Sequence, residues 1–235
     1  MNLLIIDTAT EACSVALQVN GQRYQQFEIC PQQHSQRILP MIDGVLKDAG
    51  VTLAQLDYLG FGRGPGSFTG VRIATGILQG LALGTGLHVV GVSTMAAMAQ
   101  QALDKHQASE VYCAIDARMG EVYFARYQAT DGLATLVDEE RVLPPEVAAE
   151  ILLKNQSDHL IHGVGTGWAA YEALLTPLNA KSKPVILTDI LYPAAQYMLA
   201  LVEAGVQQGH AKEVEQIEPV YLRDKVTWKK LPGRE

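Results

Sequence analysis

Apolar and polar positions along the chain fall into two series that repeat the same order of elements. Residues 3–6 are a continuous apolar run that stops at Asp7. Residues 13–19 alternate and stop at Asn20-Gly21, and residues 23–30 follow. Asn-Gly between two apolar runs is a strong signal for a two-residue hairpin, so the chain is expected to open with a three-stranded antiparallel meander. Ile38, Leu39, Ile42, Val45 and Leu46 then recur at helical spacing, which predicts a helix from Ser35, its expected cap, to about Lys47. Pro40 is placed near its first turn, where proline is tolerated. A short helical turn at 52–56, a strand at 58–61, a helix from Ser67 or Thr69 to Gly84, a strand at 88–92 and a Ser93-capped helix to about 103 complete the first series.

The polar stretch 105–110 interrupts the pattern, and the opening order then returns. Residues 111–115 are apolar and end at Asp116; 121–127 alternate; Thr130-Asp131-Gly132 turns into a third strand at 133–142. A helix at 145–153, a strand at 159–164, a helix at 168–175, a short strand at 185–187 and an apolar helix at 192–206 follow. Two such series predict an α/β protein of two similar halves, residues 1–105 and 106–235, with an extended tail from 217 onward. The cleft between the halves is the expected ligand site, with Asp7 and Asp116 facing it from equivalent hairpins.

The stretch from Phe61 to Gly84 is unusual. Gly62, Gly64 and Gly66 surround Pro65, and Gly76, Gly80 and Gly84 follow at a spacing of four, a row without side chains on one helix face. Each glycine inside a helix costs about 1 kcal/mol relative to alanine, so something must come close to that face, another helix or a ligand. The loop itself reads in two ways. It is an anion site at a helix N-terminus, or it is a tight strand-to-helix turn. The hydroxyl-rich turn after Asp7 adds phosphate candidates, giving the set Asp7, Thr8, Thr10, Gly64, Gly66, Ser67 and Asp116. No lysine follows the glycines as in a phosphate-binding loop, and Ser67 does not sit in Gly-x-Ser-x-Gly.

Charge and cysteine content narrow the classes. A formal net charge of −7 argues against independent nucleic-acid binding. Three cysteines without a C-x-x-C fit a reducing, cytoplasmic setting, and neither a signal peptide nor a membrane span is read from the sequence. The six histidines form no ligand pair at helical spacing, so no metal is expected.

Three motifs, Ile5-Ile-Asp-Thr-Ala-Thr10, Gly62-Arg-Gly-Pro-Gly-Ser-Phe-Thr-Gly-Val-Arg72, and Ala114-Ile-Asp-Ala-Arg118 with Glu121-Val-Tyr123, together with Pro219-Val-Tyr-Leu-Arg223, resemble the TsaB (YeaZ-type) family of bacteria nearly end to end. The resemblance implies two actin-like subdomains of the ASKHA, ribonuclease H-like kind, each a mixed sheet with an antiparallel meander flanked by helices. It also implies a non-catalytic subunit that organises TsaD, the transferase of tRNA threonylcarbamoyladenosine formation. TsaE joins through the TsaB–TsaD complex, a TsaC-type enzyme supplies the activated group, tRNA is met indirectly, and the chain alone is a homodimer. In TsaD-like proteins two histidines four apart hold a metal; here Thr94 and Met98 stand in their places. Ala9 replaces the glycine of kinase-like phosphate hairpins. No cofactor is therefore expected on this chain alone, with ATP or ADP at the TsaB–TsaD junction left open. The helices around 35–47 and 68–84 are expected to form the partner face, with Ile38, Ile42, Arg72, Ile73, Gly76, Ile77, Gly80 and Gly84 as contacts. A stand-alone kinase using Asp7 and Asp116, or a metallopeptidase of the same fold, is the alternative.

Overall fold

The computed structural model of the chain describes residues 1–155, 157, 160–175 and 185–223. β1 (Leu3–Asp7), β2 (Ala12–Val19) and β3 (Gln22–Ile29) form the opening meander, with Asn20 and Gly21 both in left-handed backbone at the first hairpin. After α1 (His34–Ala49), β4 (Tyr58–Gly62) pairs parallel to β1. α2 (Phe68–Thr85) then leads to β5 (Val89–Val92), parallel to β4, so the first sheet runs β3-β2-β1-β4-β5. α3 (Thr94–His106) is capped by Ser93, whose hydroxyl accepts from the N–H groups of Met95 and Ala96.

The second series repeats this wiring. β6 (Glu110–Asp116), β7 (Val122–Thr130) and β8 (Leu133–Leu136) are antiparallel, and β9 (Arg141–Leu143) also pairs with β7. α4 (Pro145–Lys154), β10 (Ile161–Val164), α5 (Gly167–Ala170), β11 (Val185–Leu187) and α6 (Leu199–Gln207) follow. The sheet order β11-β10-β6-β7-β8 matches the first sheet strand for strand.

Four sequence expectations change. The strand expected at 133–142 is two, because β8 pairs with Tyr127–Thr130 of β7 while β9 pairs with Val122–Phe124. The helix expected from 192 begins as a 3₁₀ turn, Ala195–Met198, since Pro193 holds Tyr192 out of helical backbone and the Ala195 N–H is spent on the Ser14 hydroxyl. The helix expected at 168–175 breaks at Tyr171, whose hydroxyl donates to Asp116. α1 starts at His34, so Ser35 does not cap it and Pro40 lies inside, at an exposed position where water can take the carbonyl it leaves unpaired. The start of the strand expected at 159 lies outside the described residues.

Packing joins the halves more closely than the strand order suggests. α1 and α2 cover one face of the first sheet, burying Leu4, Ile6, Leu17, Ile38, Ile42 and Leu78 in one core. The opposite face is covered by α6 and its 3₁₀ turn, through Met198, Leu199 and Val202 against Leu3, Ile5 and Val90. α3, which follows the first sheet, packs on the second one through Met95, Met98 and Ala99 against Val111 and Cys113. The two halves exchange their last helices, so a division at residue 105 separates the sheets but not the cores.

Candidate functional site

The glycine loop between β4 and α2 is built for close contact with the turn after β1. The Ser67 N–H donates to the Ala9 carbonyl at 2.7 Å, and the Thr8 hydroxyl donates to the Gly70 carbonyl at 2.6 Å. A side chain at Gly66 would collide with the Ala9 carbonyl, and one at Gly70 with the Thr8 carbonyl. Gly64 has φ of +101°, and a Cβ there would come within 2.7 Å of the Val220 carbonyl. The Ser67 hydroxyl caps α2 by accepting from the Gly70 N–H. The glycines of this loop admit backbone, and its Ser67 N–H is committed inside the chain.

Asp7 and Asp116 occupy equivalent strand ends, but only one reaches the cleft. Asp7 is fully buried beneath Gly62, where any Cβ would strike its carboxyl group. Burial raises its pKa to about 7, opposed by the Ala9 N–H that donates to Oδ1; Oδ2 has no partner among the described residues. The expectation that Asp7 faces the cleft is corrected on this ground, and Thr8, also fully buried, is withdrawn with it. Asp116 borders the cleft and accepts from Arg118 Nη1 and the Tyr171 hydroxyl, both at 2.8 Å. Arg118 Nη2 reaches Glu11 Oε1 at 3.0 Å, so one guanidinium ties the two equivalent hairpins together.

The cleft has a volume of about 530 Å³, and Thr10, Gly66, Ser67 and Asp116 do border it. Its outer wall is the tail. The Val220 N–H donates to the Arg63 carbonyl at 2.7 Å, and Arg223 pairs with Glu121 at 2.5 Å, so residues 220–223 strap both halves. Between them the Tyr221 ring lies 5.4 Å from that of Phe68. The Arg72 guanidinium sits 3.7 Å over the Phe68 ring, and Nε donates to the Tyr221 hydroxyl at 2.8 Å. The basic positions beyond, Lys225 to Lys230, lie outside the described residues.

The outer face of α2 is the second candidate. Gly76, Gly80 and Gly84 are exposed, and a Cβ added at any of them meets nothing within 4 Å among the described residues. Phe68 and Leu83, which share this stripe by helical spacing, are 58% and 70% exposed. Ile73 and Ile77 are half-buried against the first core. Ile38 and Ile42 are buried within it, at 0% and 4% exposure, and are corrected from partner contacts to core residues. Leu39, beside them, is the exposed apolar residue of α1. Phe68, Leu83 and Tyr221 were missed in the sequence; counting seven positions on from Gly76 finds Leu83, and counting eight back finds Phe68.

No group of three or more His, Cys, Asp and Glu placed to hold a metal occurs among the described residues. Thr94 and Met98 are fully buried, Met98 in the core on the second sheet. No helix of the described residues is long and apolar enough to cross a membrane.

Two mixed sheets of one topology, with a cleft between them, define an actin-like protein of two subdomains. The family model for TsaD, tRNA N6-adenosine threonylcarbamoyltransferase, matches residues 27–231. The tRNA threonylcarbamoyladenosine biosynthesis protein TsaB of Escherichia coli is 48% identical over 238 residues, covering 100% of both chains. The TsaB protein of Haemophilus influenzae is 46% identical, covering 100% of this chain and 99% of its own. YeaZ from Pseudomonas aeruginosa has a TM-score of 0.84 at 42% identity, over 94% of this chain and 99% of its own. A second structure, of an uncharacterized protein with similarity to peptidase YeaZ from Pseudomonas aeruginosa, gives 0.86 at 44%, with the same coverage. The chain belongs to the TsaB (YeaZ-type) family of tRNA threonylcarbamoyladenosine biosynthesis proteins.

Proposed function

We propose that this chain is a non-catalytic, cytoplasmic subunit that binds TsaD and organises it for threonylcarbamoyl transfer to the adenosine beside the anticodon of tRNA. The observation that carries the reading is the α2 stripe. Three exposed glycines lie in open space and each costs the lone helix about 1 kcal/mol. A partner helix crossing there can approach at the short end of the usual 8–10 Å interaxial range. Phe68, Tyr221 and Arg72, held together at one end of the stripe, are of the residue types that dominate binding energy at interfaces. A homodimer of the chain alone uses the same face and gives way to TsaD. TsaE and a TsaC-type enzyme act with this pair, and tRNA is met through TsaD.

The interior of the first half supports the non-catalytic assignment. Its hairpin turn is filled by its own glycine loop, and Asp7 is buried, so one of the two carboxylates a kinase would use lies away from the cleft. Nucleotide is then met at the junction with TsaD. The peptidase alternative lacks the two histidines, because Thr94 and Met98 occupy their places in the core.

Gly76→Leu and Gly80→Leu test the interface directly. Both positions are open, so the variants fold and keep their circular dichroism. Loss of TsaD in pull-down, with loss of modification in a reconstitution containing tRNA, threonine, bicarbonate, ATP, TsaC, TsaD and TsaE, is expected. Full retention of TsaD by both variants would place the interface elsewhere. ATP turnover by the isolated chain would overturn the non-catalytic role.

A further inference from the structure

A second pocket lies on the other side of the first sheet from α1 and α2. It has a volume of about 400 Å³ and forms where the edge strand β3, the end of α3 and the segment 189–197 meet. That volume falls in the range of small-molecule sites. On this sheet face α6 and its 3₁₀ turn cover the inner strands, but they stop short of β3. Phe27 and Ile29 are therefore left 50% and 57% exposed and line the pocket together with Leu191. The floor carries Gln101, which is only 8% exposed and whose Oε1 has no hydrogen-bond partner among the described residues.

The rim carries one charge of each sign, Lys105 and Asp189. Asp189 lies 3.5 Å from His106, while Lys105 has no carboxylate partner among the described residues. An apolar wall and two opposite charges select against a simple anion, a simple cation and a pure hydrocarbon. We infer that this pocket binds a small zwitterion with an apolar side chain, of the chemical class of free branched or aromatic amino acids. The ligand's carboxylate meets Lys105, its ammonium meets Asp189, and its side chain lies on Phe27 and Ile29. Nothing in this site overlaps the α2 face, so it stands or falls apart from the TsaD reading.

The test is an NMR titration of the full chain with L-leucine and L-phenylalanine. Isocaproate, which lacks the ammonium, and isoamylamine, which lacks the carboxylate, are the comparisons. Saturable shifts confined to Phe27, Ile29, Gln101 and their neighbours are expected, with each one-charge analogue weaker by about tenfold or more. Lys105→Gln and Ile29→Gln change exposed side chains, leave the fold intact and lower the affinity. Gln101→Met lowers it further while the amide spectrum elsewhere is unchanged. Absence of saturable shifts in the millimolar range overturns the proposal. So does equal binding of the one-charge analogues, or shifts that survive all three variants.

Discussion

The two halves share one wiring and differ at the place where the wiring would put chemistry. In the first, Gly66 and Gly70 press on the carbonyls of the turn after β1; in the second, Gly165 and Gly167 press on the carbonyl of Ala114, inside β6. The backbone devices are alike in kind, glycines of a strand-to-helix loop admitting a carbonyl. The carboxylates beside them are not: Asp7 is sealed under Gly62, whereas Asp116 borders the cleft, paired with Arg118 and Tyr171. A repeat can thus keep its packing geometry while one copy loses access to a ligand. The lesson is that equivalent position in a fold does not imply equivalent chemistry.

The largest expected effect would break the shared part of the comparison. Gly70→Val and Gly165→Val each drive a branched side chain into a carbonyl, and Gly165 also has φ of +104°, which valine resists. Each should cost about 3 kcal/mol or more in urea unfolding of the full chain, enough to leave much of it unfolded. Equal, severe losses in both halves would establish the repeat as a packing device. A mild result at Gly70 alone would mean that the first loop can move away from its turn.

The next effect sharpens the difference between the carboxylates. The folded-state pKa of Asp7, about 7, lies above the ordinary value of 3.8. Between those values the folded chain holds a proton that the unfolded chain gives up, so stability falls as pH rises through this window. Asp7→Asn mimics the neutral acid and keeps the Oδ1 acceptor for the Ala9 N–H. The variant should match the parent near pH 4 and exceed it by up to about 4 kcal/mol above pH 7. Asp116→Asn has the opposite sign: it weakens an ion pair and should cost about 1 kcal/mol at neutral pH. Parallel pH–stability profiles for parent and Asp7→Asn would show that the first carboxylate is ionised and hydrated, and the two halves would then be chemically alike.

Much of this was legible in the sequence, and the limits have physical causes. Apolar runs, the Asn20-Gly21 turn and the repeated order of elements were enough for both meanders and for an α/β protein of two similar halves; the mixed sheets came with the family resemblance. Periodicity says that a helix face is covered, not by what, so the exchange of α3 and α6 between the sheets was invisible. For the same reason Ile38 and Ile42 were read as partner contacts although the first core takes them, while Leu39, placed on the same side of the helix, is exposed. The burial of Asp7 depends on Gly62, more than fifty positions away, which comes over it only through the parallel pairing of β1 and β4. The strap of Tyr221 and Arg223 across the cleft is a tertiary contact of the same kind.

The smallest effect concerns a feature that the second half lacks. α5, the counterpart of α2, is a four-residue turn and carries no row of glycines. Gly76, Gly80 and Gly84 therefore cannot be explained by the repeat, and no described residue packs on them. Replacing any one with alanine should stabilise the isolated chain by about 0.5–1 kcal/mol, because the helix loses its most flexible residue and no clash arises. The same alanines should weaken association with TsaD and with a second copy, since each adds a methyl group where two helices meet most closely. A rise in monomer stability together with a fall in affinity would show stability given up for contact. A rise in stability with unchanged affinity would leave the row without a partner, and the exposed cluster of Phe68, Arg72 and Tyr221 would become the face to test next.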